Sequence, residues 1–213
     1  MADKFPSAEV IGIDITPTQP NWVPTNLTFQ IDDAQLDWTF PENHFDFIYV
    51  RYLHGAINDW DKFHKQVMRH LKPGGWYQHC EPDIELRCEN PEVPRYGPDD
   101  IYKKWAQVFY ESCNKMGRTI KFNGDILLDQ VQKAGFQSIS HKKFTVPIGS
   151  WPLDKRLNDI GMYAKLFLQL SLDGWALYPV TQVLGWSLEE TQVLVAAMGS
   201  ALRKSRNRSV FDM

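Results

Sequence analysis

Short apolar runs alternate with amphipathic stretches along the first half of the chain. Runs rich in β-branched and aromatic residues predict strands at residues 9–15, 27–31, 45–50, 76–81 and 139–146. The run at 45–50 is apolar at most positions, which suits a strand that is covered on both faces. This alternation predicts an α/β fold with a mostly parallel sheet and flanking helices.

Apolar residues at helical spacing predict the helices. Trp60, Phe63 and Val67 share one face of the first helix, with Asp59 placed to cap its start and residues 72–75 to end it. Ser187 opens a capping box before the last helix. The remaining helices are predicted at residues 101–112, 123–134 and 154–172.

Composition excludes several classes of function. The 23 basic and 26 acidic side chains give a net charge of −3, which offers no global field for a nucleic acid or a membrane surface. No uncharged apolar run reaches the roughly 18 residues of a membrane span. Cys80, Cys88 and Cys113 lack metal-binding spacing and predict reduced thiols, with no metal site. We expect a soluble protein of the cytoplasm, with the nucleus as the alternative.

Acidic residues follow the first two predicted strands. Asp14 ends the first strand, where an acid can accept hydrogen bonds from ribose hydroxyls; a turn at Thr16 is the alternative explanation. Asp32 and Asp33 follow the second strand and can accept the amine of an adenine, or else cap a turn. The residues before Val10 contain no glycine-rich loop.

Two histidines follow or occupy the next two strands. His54 comes after the third strand together with Arg51, and an imidazole can act as a general base near neutral pH. His79 lies on the fourth strand, where alternation places it on the same face as Glu81. A hydrogen-bonded packing role is the alternative for each histidine.

Aromatic residues are frequent in the C-terminal third. Trp151, Trp175, Tyr178 and Trp186 are candidates to line a pocket for a planar or apolar substrate, or are ordinary core residues. Residues 160–170 are apolar nearly all round, which predicts a helix that is buried on several sides or faces a partner.

Several of these segments, taken in order and spacing, resemble class I S-adenosylmethionine-dependent methyltransferases. They are the strand ending in Asp14, the step at 31–34, the strand at 45–51 and the Leu-Lys-Pro-Gly-Gly-Trp motif at 71–76. Residues 20–24 and 51–60 look more specifically like the fungal LaeA-like branch, whose members serve or regulate secondary metabolism.

The resemblance implies a single Rossmann-like domain over residues 1–213. Its parts would be a sheet region at 1–88, a cap-like insertion at 89–122 and a helical region with one strand at 123–213. The implied cofactor is S-adenosylmethionine, and the implied substrate is a small natural product or a protein.

The resemblance also implies roles for individual residues. Asp14 would hold the ribose hydroxyls, Ile15 would pack on the adenine, and Asp32 or Asp33 would bind its amine. Arg51 would lie near the methyl-transfer crevice. His54 or His79 would take a proton from the acceptor, as the catalytic residue.

Two departures from the family pattern shape the expectations. The family's first strand and glycine-rich loop would precede Met1, and no last strand is predicted after Arg208. Open sheet edges then predict a homo-oligomer, or a partner chain that completes the sheet. The alternatives to methyl transfer are a catalytically lapsed member, one repurposed for binding or cyclisation, and a truncated fragment.

Overall fold

The structure, a computed structural model, describes residues 1–93, 100–121 and 124–213. The strands within these ranges are β1 (Val10–Asp14), β2 (Leu27–Ile31), β3 (Phe45–Arg51), β4 (Leu71–Cys80), β5 (Arg87–Cys88), β6 (Thr145–Pro147) and β7 (Ser209–Asp212). The α-helices are α1 (Trp60–His70), α2 (Ile101–Lys115), α3 (Gly124–Lys133), α4 (Lys155–Ala176) and α5 (Leu188–Arg203). Shorter helical turns cover Ala2–Lys4, Leu177–Val183 and Ser205–Asn207.

The chain forms two compact units. The first comprises residues 1–48 and 59–77, and the second comprises residues 49–58 and 78–213. Across the described ranges, no helix combines the length and the apolar character needed to cross a bilayer.

In the first unit, β1 and β2 form a parallel pair whose register runs from Val10 opposite Leu27 to Asp14 opposite Ile31. Their parallel direction brings both carboxyl ends to the same edge. The ring of Phe29, the partner of Gly12 in register, packs over this glycine and would have to move to admit a β-carbon there. The predicted first two strands are therefore confirmed: β1 ends at Asp14, and β2 ends at Ile31, directly before Asp32.

The predicted first helix is also confirmed. Asp59 accepts a hydrogen bond from the backbone N–H of Lys62 at 2.8 Å, which satisfies one donor at the start of α1. Trp60, Phe63 and Val67 are all buried, as their spacing requires. This apolar face supplies much of the core of the first unit.

β3 pairs with β4 in a second two-stranded sheet. β4 begins at Leu71, earlier than the predicted start at residue 76. The reason is that backbone pairing starts directly after α1, where the N–H of His44 donates to the carbonyl of His70 at 2.8 Å. Residues 72–75, predicted to end the helix, thus belong to the strand.

In the second unit, α2, α4 and α5 pack around one apolar core. The buried side chains that line it include Trp105, Phe109, Leu168, Leu172, Leu194, Met198 and Leu202. The capping box at Ser187 is confirmed, because its hydroxyl accepts from Glu190 N–H and the Glu190 carboxylate accepts from Ser187 N–H.

The predicted start of α3 at Asn123 and residues 94–98 of the predicted loop lie outside the described residues.

The second unit also contains an antiparallel sheet in the order β5-β7-β6. The prediction that no strand follows Arg208 is wrong, because Ser209–Asp212 forms the central strand of this sheet. The C-terminal region accordingly has two strands rather than the one predicted. A four-residue segment is too short to show periodicity, and its strand conformation depends on pairing with β5 and β6, which are distant in sequence.

Candidate active site

The carboxylate of Glu81, at the end of β4, is the centre of a polar cluster in the second unit. Its Oε1 accepts hydrogen bonds from the backbone N–H of Leu53 and from Nε2 of His79, both at 2.9 Å. Its Oε2 accepts from Nδ1 of His54 at 2.8 Å and from the His54 backbone N–H at 3.3 Å. The structure thus brings together the two predicted catalytic histidines on one acid.

These contacts determine the protonation of the cluster. An ionised carboxylate offers about four acceptor sites, and here all are used, so both imidazoles donate to Glu81. Burial by itself raises the pKa of Glu81, but the hydrogen bonds from His54, His79 and Leu53 outweigh burial and lower the pKa to about 2. Glu81 therefore stays ionised at neutral pH.

The two histidines differ in accessibility. The His79 side chain is only 3% exposed, whereas that of His54 is 16% exposed. Because Nδ1 of neutral His54 donates to Glu81, its Nε2 holds the lone pair and is the atom able to accept a proton. His54 is thus placed to act as a base, and His79 to hold Glu81 in position.

Tyr52 adopts a backbone conformation that side chains rarely take, with a φ of +59°. This left-handed turn costs on the order of 1 kcal/mol and is found mostly at sites where the surroundings enforce it. Here the next two backbone N–H groups, of Leu53 and His54, both point at Glu81. The exposed guanidinium of Arg51 lies 4.9 Å from the centre of the Tyr52 ring.

Tyr52 also lines an open groove of about 920 Å³ in the second unit. The rest of the lining comes mainly from α4 and includes Ile160, Tyr163 and Phe167, together with Phe211 of β7. The aromatic residues predicted to line a pocket are not in this lining. Trp151 instead donates a hydrogen bond to the Ser209 carbonyl, Trp175 packs against the Phe167 ring, and Trp186 packs against the core around α2 and α5. Tyr178 is exposed.

The predicted nucleotide-binding residues lie in the first unit. Asp14 is exposed at the end of β1, and its Oδ1 accepts from the backbone N–H of Thr16 at 2.9 Å. The Asp32 N–H donates to the Asp14 carbonyl at 3.1 Å, which holds the two acidic strand ends side by side. Asp33 follows directly, and the side chain of Ile15 is 67% exposed. One edge of the sheet thus presents three carboxylates and an exposed aliphatic group.

Glu81 and Tyr52 are not among the residues that the sequence pattern predicts for the site. The alternation on β4 places Glu81 beside His79, but no local signal pairs it with a histidine 27 residues away. A left-handed tyrosine has no sequence signature at all.

Among the described residues, no group of three acidic, histidine or cysteine side chains is arranged to hold a metal ion.

Comparison with known proteins identifies the family. A model of the methyltransferase domain matches residues 1–141. A methyltransferase named pytC from Aspergillus terreus is 33% identical over all 213 residues, which cover 64% of its own length. A secondary metabolism regulator named LAE1 from Cochliobolus heterostrophus is 34% identical over 190 residues, covering 88% of this chain and 61% of that protein. The chain spans less than two thirds of the length of these two relatives.

A solved structure from Galdieria sulphuraria, named as a candidate sarcosine dimethylglycine methyltransferase, shares the fold. It aligns with a TM-score of 0.52 at 12% identity, over 99% of this chain and 69% of that one. The Rossmann-like α/β class is thereby confirmed, and the family model with the two fungal relatives confirms the predicted family resemblance. The chain belongs to the methyltransferase domain family.

Proposed function

We propose that the protein is an S-adenosylmethionine-dependent methyltransferase of secondary metabolism that acts on a small molecule. The observation that carries this proposal is the Glu81 carboxylate, which fixes the orientation of His54 while leaving Nε2 of His54 as a proton acceptor. The family membership and the names of the fungal relatives support the reaction class and its metabolic setting.

The residues of the first unit fit the nucleoside half of the cofactor. The exposed Asp14 carboxylate is oriented by one N–H and keeps acceptor sites for the hydroxyls of a ribose. Ile15 offers exposed apolar surface to an adenine, and Asp32 or Asp33 offers a carboxylate to its amine. Ligands of open parallel sheets bind at this carboxyl edge.

When bound, S-adenosylmethionine supplies an electrophilic methyl group on a sulfonium. We infer that His54 removes the proton of the acceptor hydroxyl through Nε2, and that Glu81 stabilises the resulting imidazolium at the 2.8 Å contact. The role of His79 is to hold the carboxylate of Glu81 from the other side. The Arg51 guanidinium lies over the ring of Tyr52 and helps to orient that ring.

The sheet edges support a partner chain. Among the described strands, β1 pairs with β2 alone and β3 with β4 alone, so that β1 and β3 each keep an edge able to accept a strand. We propose that a second copy covers such an edge. Light scattering on the purified chain tests this proposal: a dimer supports it, and a monomer at high concentration contradicts it.

Calorimetric titration of the purified chain with S-adenosylmethionine tests cofactor binding. We expect saturable binding that Asp14→Asn weakens at least about tenfold, the loss of roughly one charge-assisted hydrogen bond. Asp61→Asn is the matched control, because Asp61 is an equally exposed carboxylate on α1. No binding by folded protein, or equal binding by the Asp14 variant, contradicts the proposed cofactor site.

The role of His54 is tested by methyl transfer from radiolabelled cofactor to a panel of hydroxylated small molecules. We expect His54→Gln to lower the rate by about 100-fold, the usual contribution of a general base, while cofactor affinity is unchanged. A variant with the full rate would contradict the assignment of the base.

A further inference from the structure

The groove of the second unit contains two aromatic rings held in place by other residues. Their centres, in Tyr52 and Phe167, are 6.5 Å apart and their planes are inclined by 32°. Both side chains keep substantial exposure, at 41% and 50% respectively. The rings therefore present apolar aromatic surface that the protein itself does not cover.

Each ring has its own support. Tyr52 is held by its left-handed backbone, by the Arg51 guanidinium over its ring, and by the two following N–H groups bound to Glu81. Phe167 is held by Trp175, whose ring packs edge-on against it with centres 5.4 Å apart. Rings fixed in this way lose little side-chain entropy when a ligand stacks on them.

The arrangement of the rings suits a flat ligand. The ring planes of Tyr52 and Phe167 are tilted by 32° at a centre-to-centre distance of 6.5 Å, so the two rings are not the parallel walls of a slot, and their exposed parts offer flat aromatic surface. A planar ring makes close contact with such a surface over its whole face, whereas a puckered ring touches it with fewer atoms.

The charges of the groove favour an uncharged ligand. Two acidic residues, Asp154 and Asp159, and two basic residues, Lys155 and Arg156, line it, so that their formal charges cancel. The remaining lining residues are apolar or aromatic. A neutral molecule with an extended apolar face matches this composition.

From these observations we propose that the groove binds a neutral, planar aromatic alcohol stacked on Tyr52 and Phe167. Tyr52 lies two residues before His54, the histidine assigned as the base, although His54 itself is not part of the groove lining. The assignment of the ligand as methyl acceptor rests on the proposed function. The preference for a flat aromatic ligand stands on the groove alone.

The test uses two alcohols of the same carbon skeleton, 2-naphthol and the saturated, puckered 2-decalol. Equilibrium dialysis of the full chain is performed without cofactor. We expect 2-naphthol to bind about tenfold more tightly, because stacking on two rings adds to apolar burial. Phe167→Leu keeps an apolar side chain but removes the ring, and it should weaken 2-naphthol binding about fivefold while leaving 2-decalol binding unchanged.

Tyr178→Leu is the matched control, since Tyr178 is an exposed aromatic residue outside the groove lining and should leave both affinities unchanged. Circular dichroism checks folding, and Tyr52→Asn, which tolerates the left-handed turn, repeats the test at the other ring. Equal binding of the two alcohols, or equal weakening of both by Phe167→Leu, overturns the proposal. Because the assay contains no cofactor, absence of methyl transfer does not affect its result.

Discussion

Nδ1 of His54 and Oε2 of Glu81 are 2.8 Å apart, although 27 residues separate them in the chain. The contact joins the loop after β3 to the end of β4, and Glu81 adds hydrogen bonds to two backbone N–H groups of that loop. The position of the proposed base therefore depends on one buried carboxylate.

Replacement of this carboxylate should be strongly destabilising. Glu81→Gln introduces an amide that cannot accept all four hydrogen bonds, and we expect a loss of about 2–3 kcal/mol in the free energy of unfolding. Urea denaturation measures this loss of stability. Glu111→Gln, an exposed glutamate paired with Lys115 on α2, is the control and should change stability by less than about 0.5 kcal/mol. Equal effects of the two substitutions would contradict the central role of Glu81.

Acid should destabilise the fold in a defined range of pH. Hydrogen bonds outweigh burial and lower the pKa of Glu81 from 4.5 to about 2 in the folded protein. Its contribution is therefore fully present above pH 4.5 and is lost as the pH falls towards 2. Thermal denaturation from pH 6 to pH 2 should show this decline, and Glu81→Gln should make it shallower. An unchanged decline in the variant would exclude Glu81 as its source.

Two glycines of α4 should respond in opposite directions to alanine. A β-carbon on Gly161 would overlap the carbonyl oxygen of Gly149, where the loop after β6 crosses the helix. Gly161→Ala should therefore lower the free energy of unfolding by about 2–3 kcal/mol. Gly174 has open space around it, and Gly174→Ala should raise stability by about 0.5–1 kcal/mol. Denaturant titration of both variants measures the contrast, and a neutral Gly161→Ala would contradict the close crossing.

Asp212 should stabilise the C-terminal strand. Its carboxylate accepts hydrogen bonds from Arg87 at 2.7 and 2.8 Å, from Lys143 at 2.6 Å and from Thr145 at 2.8 Å. Asp212→Asn should lower the free energy of unfolding by about 2 kcal/mol, because charge-assisted bonds are lost. Glu89→Gln alters a more exposed partner of the same arginine and should have a smaller effect. Similar losses of stability in the two variants would show that the pairing of Asp212 with Arg87 contributes little to the stability of the fold.

Local features of the fold were open to prediction from sequence. The spacing of Trp60, Phe63 and Val67 predicts α1, and the capping box of Ser187 and Glu190 predicts the start of α5. Both signals can be recognised in the sequence because they act within one or two helical turns. The end of β1 at Asp14 and the end of β2 directly before Asp32 could be predicted for the same reason. β7 escaped prediction because its strand state depends on partners more than 50 residues away in sequence.

The sequence by itself determined the family, the main helices and the acidic ends of β1 and β2, since these depend on the order and spacing of neighbouring residues. Tertiary structure alone decided that Glu81 links His54 to His79 and that Tyr52 meets Phe167 across 115 residues. Contacts of this kind arise from the packing of distant segments, and neither periodicity nor local propensity encodes which side chains will meet.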